Sequence, residues 1–77
     1  MDEMLATIVY FAGDFVPQGW MFCNGATLQV QQNAALFSLL GNRFGGDGVH
    51  TFCLPTIPDL NGLKAIICTT GVYPQRP

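Results

Sequence analysis

Charge is what this chain has least of. Only 10% of its 77 residues are Asp, Glu, Lys or Arg, against about 25% in an ordinary soluble domain. Three scattered basic residues and a net charge of −2 leave no electrostatic footprint for nucleic acid or an anionic membrane surface. No apolar run approaches the roughly 18 residues that a membrane-spanning helix requires. Repeats, low-complexity tracts and linkers are missing too, and 77 residues accommodate one small domain without a second core. A hydrophobic share of 49% and a mean hydropathy of +0.32 rule out intrinsic disorder. What remains is a folded chain with too few charges to cover its own surface. Part of that surface is expected to be buried against other copies.

The chemistry of an enzyme is equally thin. His50 and Cys53 lie three apart on an expected strand, so they point to opposite faces and form no local dyad. Asp14, Asp47 and Asp59 each sit beside Gly or Pro, the usual setting of a turn aspartate rather than of paired catalytic carboxylates. The stretch Gly41-Asn42-Arg43-Phe44-Gly45-Gly46-Asp47-Gly48 looks superficially like a phosphate loop. Asp47 stands where the phosphate-binding lysine belongs, which inverts the charge. No catalytic residue, metal site or cofactor is expected.

Cys23, Cys53 and Cys68 form an odd set with no C-x-x-C spacing, which removes haem attachment, thioredoxin-type redox chemistry and paired zinc ligands. Two readings stay open. They are three small buried hydrophobes, or two of them form a bridge, within the chain or between subunits, that staples a domain below about 80 residues. The N-terminal Met1-Asp2-Glu3-Met4-Leu5 is acidic where a secretory leader is positively charged, and no leader is expected.

Strand-forming residues occupy positions 6–11, bounded by Gly13 and Pro17. Val16-Pro17-Gln18-Gly19 suits a type I turn. A short strand over 20–23 leads into Asn24-Gly25, a two-residue hairpin signal, with 26–30 as the return arm. Residues 31–40 contain good helix formers, and Gly41 stands at the C′ position. A tight loop over 45–48 precedes a short strand at 51–54 that Pro55 ends. Asn61-Gly62 makes another turn, and residues 63–72 are the longest strand candidate. The pattern predicts an α+β fold, a small single domain over residues 1–77 of short β-strands with one short α-helix. Its expected core is Trp20, Phe22, Leu36, Phe37, Leu40, Phe52 and Leu54.

The string Phe11-Ala12-Gly13-Asp14-Phe15-Val16-Pro17-Gln18-Gly19-Trp20-Met21-Phe22-Cys23-Asn24-Gly25 resembles the opening of the phage tail collar domain. That family also includes the small bacterial microcystin-dependent proteins. The resemblance continues through Leu28-x-Val30, Asn33-x-x-Leu36-Phe37-Ser38-Leu39-Leu40-Gly41, Phe44-Gly45-Gly46-Asp47-Gly48 and Thr51-Phe52-x-Leu54-Pro55, over roughly residues 6–60. Ile66-Ile67-Cys68 and Gly71-Val72-Tyr73-Pro74-x-Arg76 resemble the ending of the stand-alone bacterial members.

Three departures limit what carries over. Thr56-Ile57-Pro58 intervenes before Asp59-Leu60-Asn61-Gly62, and Leu63 replaces an arginine. The long glycine- and histidine-bearing region of fibre proteins is missing, so histidine-bound metal does not carry over. Gln31 replaces the small polar residue usual before the helix, which weakens the N-cap. The resemblance implies a module of phage-tail origin, commonly trimeric and without catalytic residues. It makes Trp20 a core anchor and Gly19, Gly25 and Gly46 turn positions. Asn24, Leu36, Phe37, Gly41, Asp47, Phe52 and Pro55 complete the shared fold motif.

Two functions are then in competition. In the first, the chain is a structural subunit that self-assembles into a phage-tail-derived or extracellular fibre. Residues 4–11 and 63–72 are apolar and strand-like, with Lys64 alone guarding the second, so both are expected to offer edges for β-augmentation. Ile8, Tyr10, Ile66 and Tyr73 are the candidate interface residues, the product is a trimer or a filament, and Cys53 is placed to bridge subunits in an oxidising medium. In the second, the chain binds a surface glycan or receptor as part of a tail fibre, with Trp20, Tyr10, Tyr73, His50 and Asn42 as contacts. The expected partners are further copies, other phage-tail or fibre proteins, and for the second function a glycan. No nucleic acid or membrane insertion is expected, and the expected location is a virion or an extracellular fibre.

Overall fold

The computed structural model describes residues 3–75. Met1, Asp2, Arg76 and Pro77, used above for the acidic start and the C-terminal motif, lie outside the described residues. The order of elements is β1 (Ile8–Phe11), β2 (Trp20–Phe22), β3 (Thr27–Gln29), α1 (Ala34–Leu40), β4 (Thr51–Cys53) and β5 (Lys64–Cys68). They make a small single α+β domain with two antiparallel sheets. One is three-stranded in the order β1-β5-β2, and the other pairs β3 with β4.

The last strand takes the centre because it is the most apolar. Four of the five residues in Lys64-Ala65-Ile66-Ile67-Cys68 are buried, and a strand covered on both faces reads as a continuous hydrophobic run rather than an alternating one. β1 pairs with it from Ile8↔Ile67 to Phe11↔Lys64, and β2 from Trp20↔Cys68 to Phe22↔Ile66. This corrects the expected edge at 63–72: β5 is bonded on both sides and offers none. Ile66 is 2% exposed, so it cannot belong to a subunit interface of the folded protomer. The strand ends at Cys68 because the backbone N–H groups of Thr69 and Thr70 both turn to the Gly19 carbonyl, at 2.8 and 3.2 Å. Val72 then bridges to Met4 in parallel, tying the two chain ends together.

Asn-Gly occurs twice and folds in two ways. Asn61 and Gly62 both adopt left-handed backbone, φ 53° and 83°, which a type I′ turn demands. Leu60 and Leu63 accordingly exchange two hydrogen bonds of 2.9 Å. At Asn24-Gly25 only the glycine has positive φ, and no hairpin forms. The expected partners 20–23 and 26–30 part into different sheets, β2 beside β5 and β3 beside β4. Asn24-Gly25 is a corner between sheets, held by the Asn24 side-chain oxygen accepting from Ala26 N–H at 3.2 Å.

The helix begins three residues later than expected. Asn33 is its N-cap but makes no side-chain cap bond; its amide donates instead to the Gln29 carbonyl at 3.0 Å. Gly41 closes the other end, its N–H donating to the Phe37 carbonyl at 2.7 Å.

The principal core gathers Leu5, Cys23, Leu36, Phe52, Leu54, Ala65 and Ile67, with Met21, Phe37, Leu40 and Ile57 packed around it. The Phe37 and Phe52 rings meet with centroids 5.3 Å apart. Trp20 and Phe22 are only half-buried and lie outside this cluster. Strand alternation explains it: opposite residues share a face, so Met21 sits with Ile67 on the core side. Trp20 and Phe22 sit with Cys68 and Ile66 on the reverse side. Phe11 shares that reverse side through its pairing with Lys64, and Phe15 meets it edge-on at 5.8 Å and 82°.

Gly46 controls how closely the 45–48 loop approaches β4. Its φ is +90°, and an added Cβ would lie 2.5 Å from Phe52 Cα and 2.6 Å from the Thr51 carbonyl oxygen. Gly46→Ala is therefore expected to destabilise the fold by at least about 2 kcal/mol, combining left-handed strain with a backbone clash. Urea denaturation reads this as a lower midpoint at an unchanged slope.

Candidate functional site

The motif that most resembles a ligand loop is a structural turn. The Asp47 carboxylate oxygen Oδ1 accepts from the backbone N–H groups of Val49, His50 and Thr51 at 2.8, 2.8 and 2.9 Å. In return Thr51 Oγ1 accepts from Asp47 N–H at 3.2 Å. Hydrogen bonds from Thr51, Val49 and His50 hold the Asp47 carboxyl far below the usual carboxylate range. The three donors explain why an acid occupies this position, and why a lysine there would leave three N–H groups without an acceptor. His50 lies 3.7 Å from the other carboxylate oxygen, an exposed pair of little energetic weight.

The three thiols are all free, and the sheet geometry keeps them apart. The N–H of Cys23 bonds to the Ala65 carbonyl at 3.0 Å, and Cys23 packs in the principal core with Ala65 and Ile67. Cys68 alternates with Ile67 along β5 and so points to the opposite face. Cys53 lies in the other sheet, its Sγ 3.4 Å from Thr27 Oγ1. No two of them are bonded within the chain, which removes the intrachain bridge from the readings left open by the sequence. Burial pushes the Cys23 thiol up, and only Cys53 is partly accessible.

Two hollows are present among the described residues. The larger, about 340 Å³, is lined by Asp14, Phe22, Asn24, Asp59 and Lys64 among others, and Lys64 Nζ reaches Asp59 across it at 3.2 Å. The smaller, about 290 Å³, holds Gln29, Gln31 and His50. Of the five aromatic and polar residues expected to contact a glycan, only His50 lines either one. Trp20, Tyr10, Tyr73 and Asn42 are not brought together there. No group of three His, Cys, Asp or Glu side chains among the described residues is arranged to hold a metal ion. No described helix is long and apolar enough to cross a membrane.

The outstanding surface is the free side of β1. Ile8, Val9 and Tyr10 are 41%, 40% and 45% exposed, an unusual level for three consecutive apolar strand residues. Their backbone is half used. The Thr7 carbonyl accepts from Cys68 N–H at 2.9 Å, which makes Thr7/Cys68 a hydrogen-bonding pair. Bonding pairs alternate along an antiparallel ladder, so Val9/Ile66 and Phe11/Lys64 bond in turn. The N–H and C=O of Ile8 and Tyr10 therefore point away from β5. Among the described residues no backbone partner meets them.

Of the four expected interface residues, Ile8 and Tyr10 stand on this edge. Tyr73 is exposed elsewhere, its hydroxyl 2.6 Å from Ser38 Oγ, and Ile66 is buried. Val9 was missed, and its signal was the unbroken apolar run Ile8-Val9-Tyr10-Phe11, which has no polar alternation to mark a solvent face.

The described residues thus form a small two-sheet module in which the 45–48 loop is closed by Asp47. The sequence profile of the Phage Tail Collar Domain matches residues 6–63 of 77, and the chain belongs to that family, a structural family of phage tails. The match stops one residue short of β5, so the central strand falls outside it. No curated protein matches the chain.

The depressed acidity of Asp47 has a predicted pH signature. Its folded pKa lies below the unfolded value of about 3.9. Its stabilisation is therefore complete above that value and is lost as pH falls through it towards the folded pKa. Asp47→Asn keeps an acceptor oxygen but no titrating charge. Its thermal midpoint is expected to fall below wild type near neutral pH and to converge with it in acid, when scanned from about pH 6 to about pH 2. Parallel curves for the two proteins would contradict this role.

Proposed function

We propose that the chain is a non-enzymatic structural subunit that self-assembles as part of a phage-tail-derived or extracellular fibre, with copies meeting at the free edge of β1. The observation that carries this reading is an apolar edge strand with unpaired backbone groups and no charged guard. Edges of that kind in monomeric proteins are ordinarily blunted by Lys, Pro or a bulge. Neither Lys nor Pro occurs between Thr7 and Phe11, and the bulge at Ala6-Thr7 opposite Cys68 lies before β1 and leaves Ile8 to Phe11 regular. Low charge fits the same reading, because a surface covered by neighbouring copies needs fewer charges to stay in solution.

Membership of the phage tail collar family supports a place in a virion or fibre and a context of other tail proteins. Glycan or receptor binding has less support, since the residues suited to it are dispersed over the surface rather than gathered in one hollow. Cys53 is the accessible thiol if assembly is covalently reinforced.

Mass measurement in solution tests the reading. Sedimentation at micromolar concentration with reductant present is expected to give multiples of 8.4 kDa. A clean monomer across the accessible concentration range would overturn it.

A further inference from the structure

We propose that two copies pair antiparallel through β1 across a two-fold axis at Val9, with Ile8 of each copy opposite Tyr10 of the other. This rests on the self-assembly reading above and specifies the surface, the partner and the register.

Hydrogen-bond parity sets the register. Ile8 and Tyr10 direct their N–H and C=O groups outward, while Val9 between them bonds inward to Ile66. An antiparallel pair exchanges two hydrogen bonds at every second residue pair. A two-fold on Val9 sets the outward groups of Ile8 against those of Tyr10, twice, so all four outward groups of each copy are satisfied together. A shift of one residue opposes outward groups to inward ones and makes no ladder. A shift of two centres the axis on Ile8 or Tyr10 and carries the second pair beyond β1, to Ala6 or Ala12. Ala6 is unsuited: its φ is 71° and its N–H already donates to the Cys68 carbonyl at 2.9 Å.

The side chains agree with this register. Ile8 and Tyr10 share the face of Ile67 and Ala65 through their pairing with those residues. The two-fold then places an aromatic ring beside a β-branched side chain on each side of the axis, a stabilising cross-strand combination. Val9 meets its own copy on the reverse face at a non-hydrogen-bonded position, where side chains approach most closely.

Charge and composition favour a second copy over a different strand. No charged residue lies between Glu3 and Asp14, so identical segments approach without repulsion. The sequence is symmetric in kind about Val9, with an apolar residue on each side. The other edge competes poorly. β2 has only three residues, Trp20 N–H already donates to the Pro17 carbonyl at 3.1 Å, and Asn24 just beyond the strand is bridged to Thr56. Pairing through β1 gives a closed dimer with a continuous six-stranded sheet, β2-β5-β1-β1-β5-β2, and a fibre is then built from such dimers through a further surface.

Two variants test the register independently. Tyr10→Pro removes an N–H that the β5 ladder does not use, and proline is tolerated on an edge strand where the N–H faces outward. It takes away two of the four interchain hydrogen bonds and is expected to weaken self-association by about tenfold or more in sedimentation equilibrium. Val9→Cys, in a Cys53→Ser background, reads geometry without depending on that fold tolerance. At a non-hydrogen-bonded pair the Cβ atoms are about 4.5–5.5 Å apart, close to disulfide reach.

With oxidised glutathione, Val9→Cys is expected to form a covalent dimer, whereas Ile8→Cys in the same background does not link to itself. Wild-type assembly together with an unlinked Val9→Cys protein, or with Tyr10→Pro associating as tightly as wild type, would overturn this pairing and leave self-assembly standing. A wild-type protein that is monomeric throughout would overturn both.

Discussion

Everything in this fold depends on β5 being bonded on both sides and covered on both faces. A five-residue strand with one charged residue cannot tolerate water on either side, so β1 and β2 must flank it. That requirement pulls β2 away from its neighbour in sequence and leaves β3 to pair with β4. It also decides where polar backbone remains unspent. With β5 saturated, the open ladder positions move outward to β1, whose Ile8 and Tyr10 carry them. The surface that looks built for assembly is thus a consequence of what the core demanded of its last strand.

A second constraint operates around Phe52. This ring is fully buried at the meeting point of helix and sheet, and the backbone beside it must admit the 45–48 loop at a separation where no side chain fits. Gly46 supplies the absence of a Cβ, and Asp47 supplies an acceptor for three N–H groups that the turn leaves pointing inward. The two neighbours perform different physical tasks for one purpose, which is to seal β4 over the core. The same glycines and acid, read as a string, look like part of a phosphate loop; their geometry is that of a folded-back turn.

Much of the fold was legible in the residues. The helix with its glycine stop, the positions of all five strands, the Asn61-Gly62 turn and the collar-type family followed from local chemistry and from motif spacing. The parts that were not legible share a cause. Whether Asn24-Gly25 becomes a hairpin depends on which strands compete for β2, and that is settled by β5, forty residues away in the chain. Whether Trp20 or Met21 faces the principal core depends on a register that a three-residue strand cannot declare. Ile66 and Ile8 look alike in sequence, yet one sits in the centre of a sheet and the other at its edge. Long-range pairing separates them, and local pattern carries no trace of it. The cysteines show the same limit, since which sheet face holds a thiol follows from that pairing.

No charged residue lies between Glu3 and Asp14, so the open edge of β1 carries no charge, and assembly depends on the outward groups of Ile8 and Tyr10. Amide hydrogen exchange as a function of protein concentration addresses them most directly. The Val9 and Phe11 amides, bonded to β5, should be protected at every concentration. The Ile8 and Tyr10 amides should exchange rapidly in dilute protein and gain protection as concentration rises. If these two amides exchange at the same rate across the whole concentration range, β1 is not where copies meet, and the central claim fails.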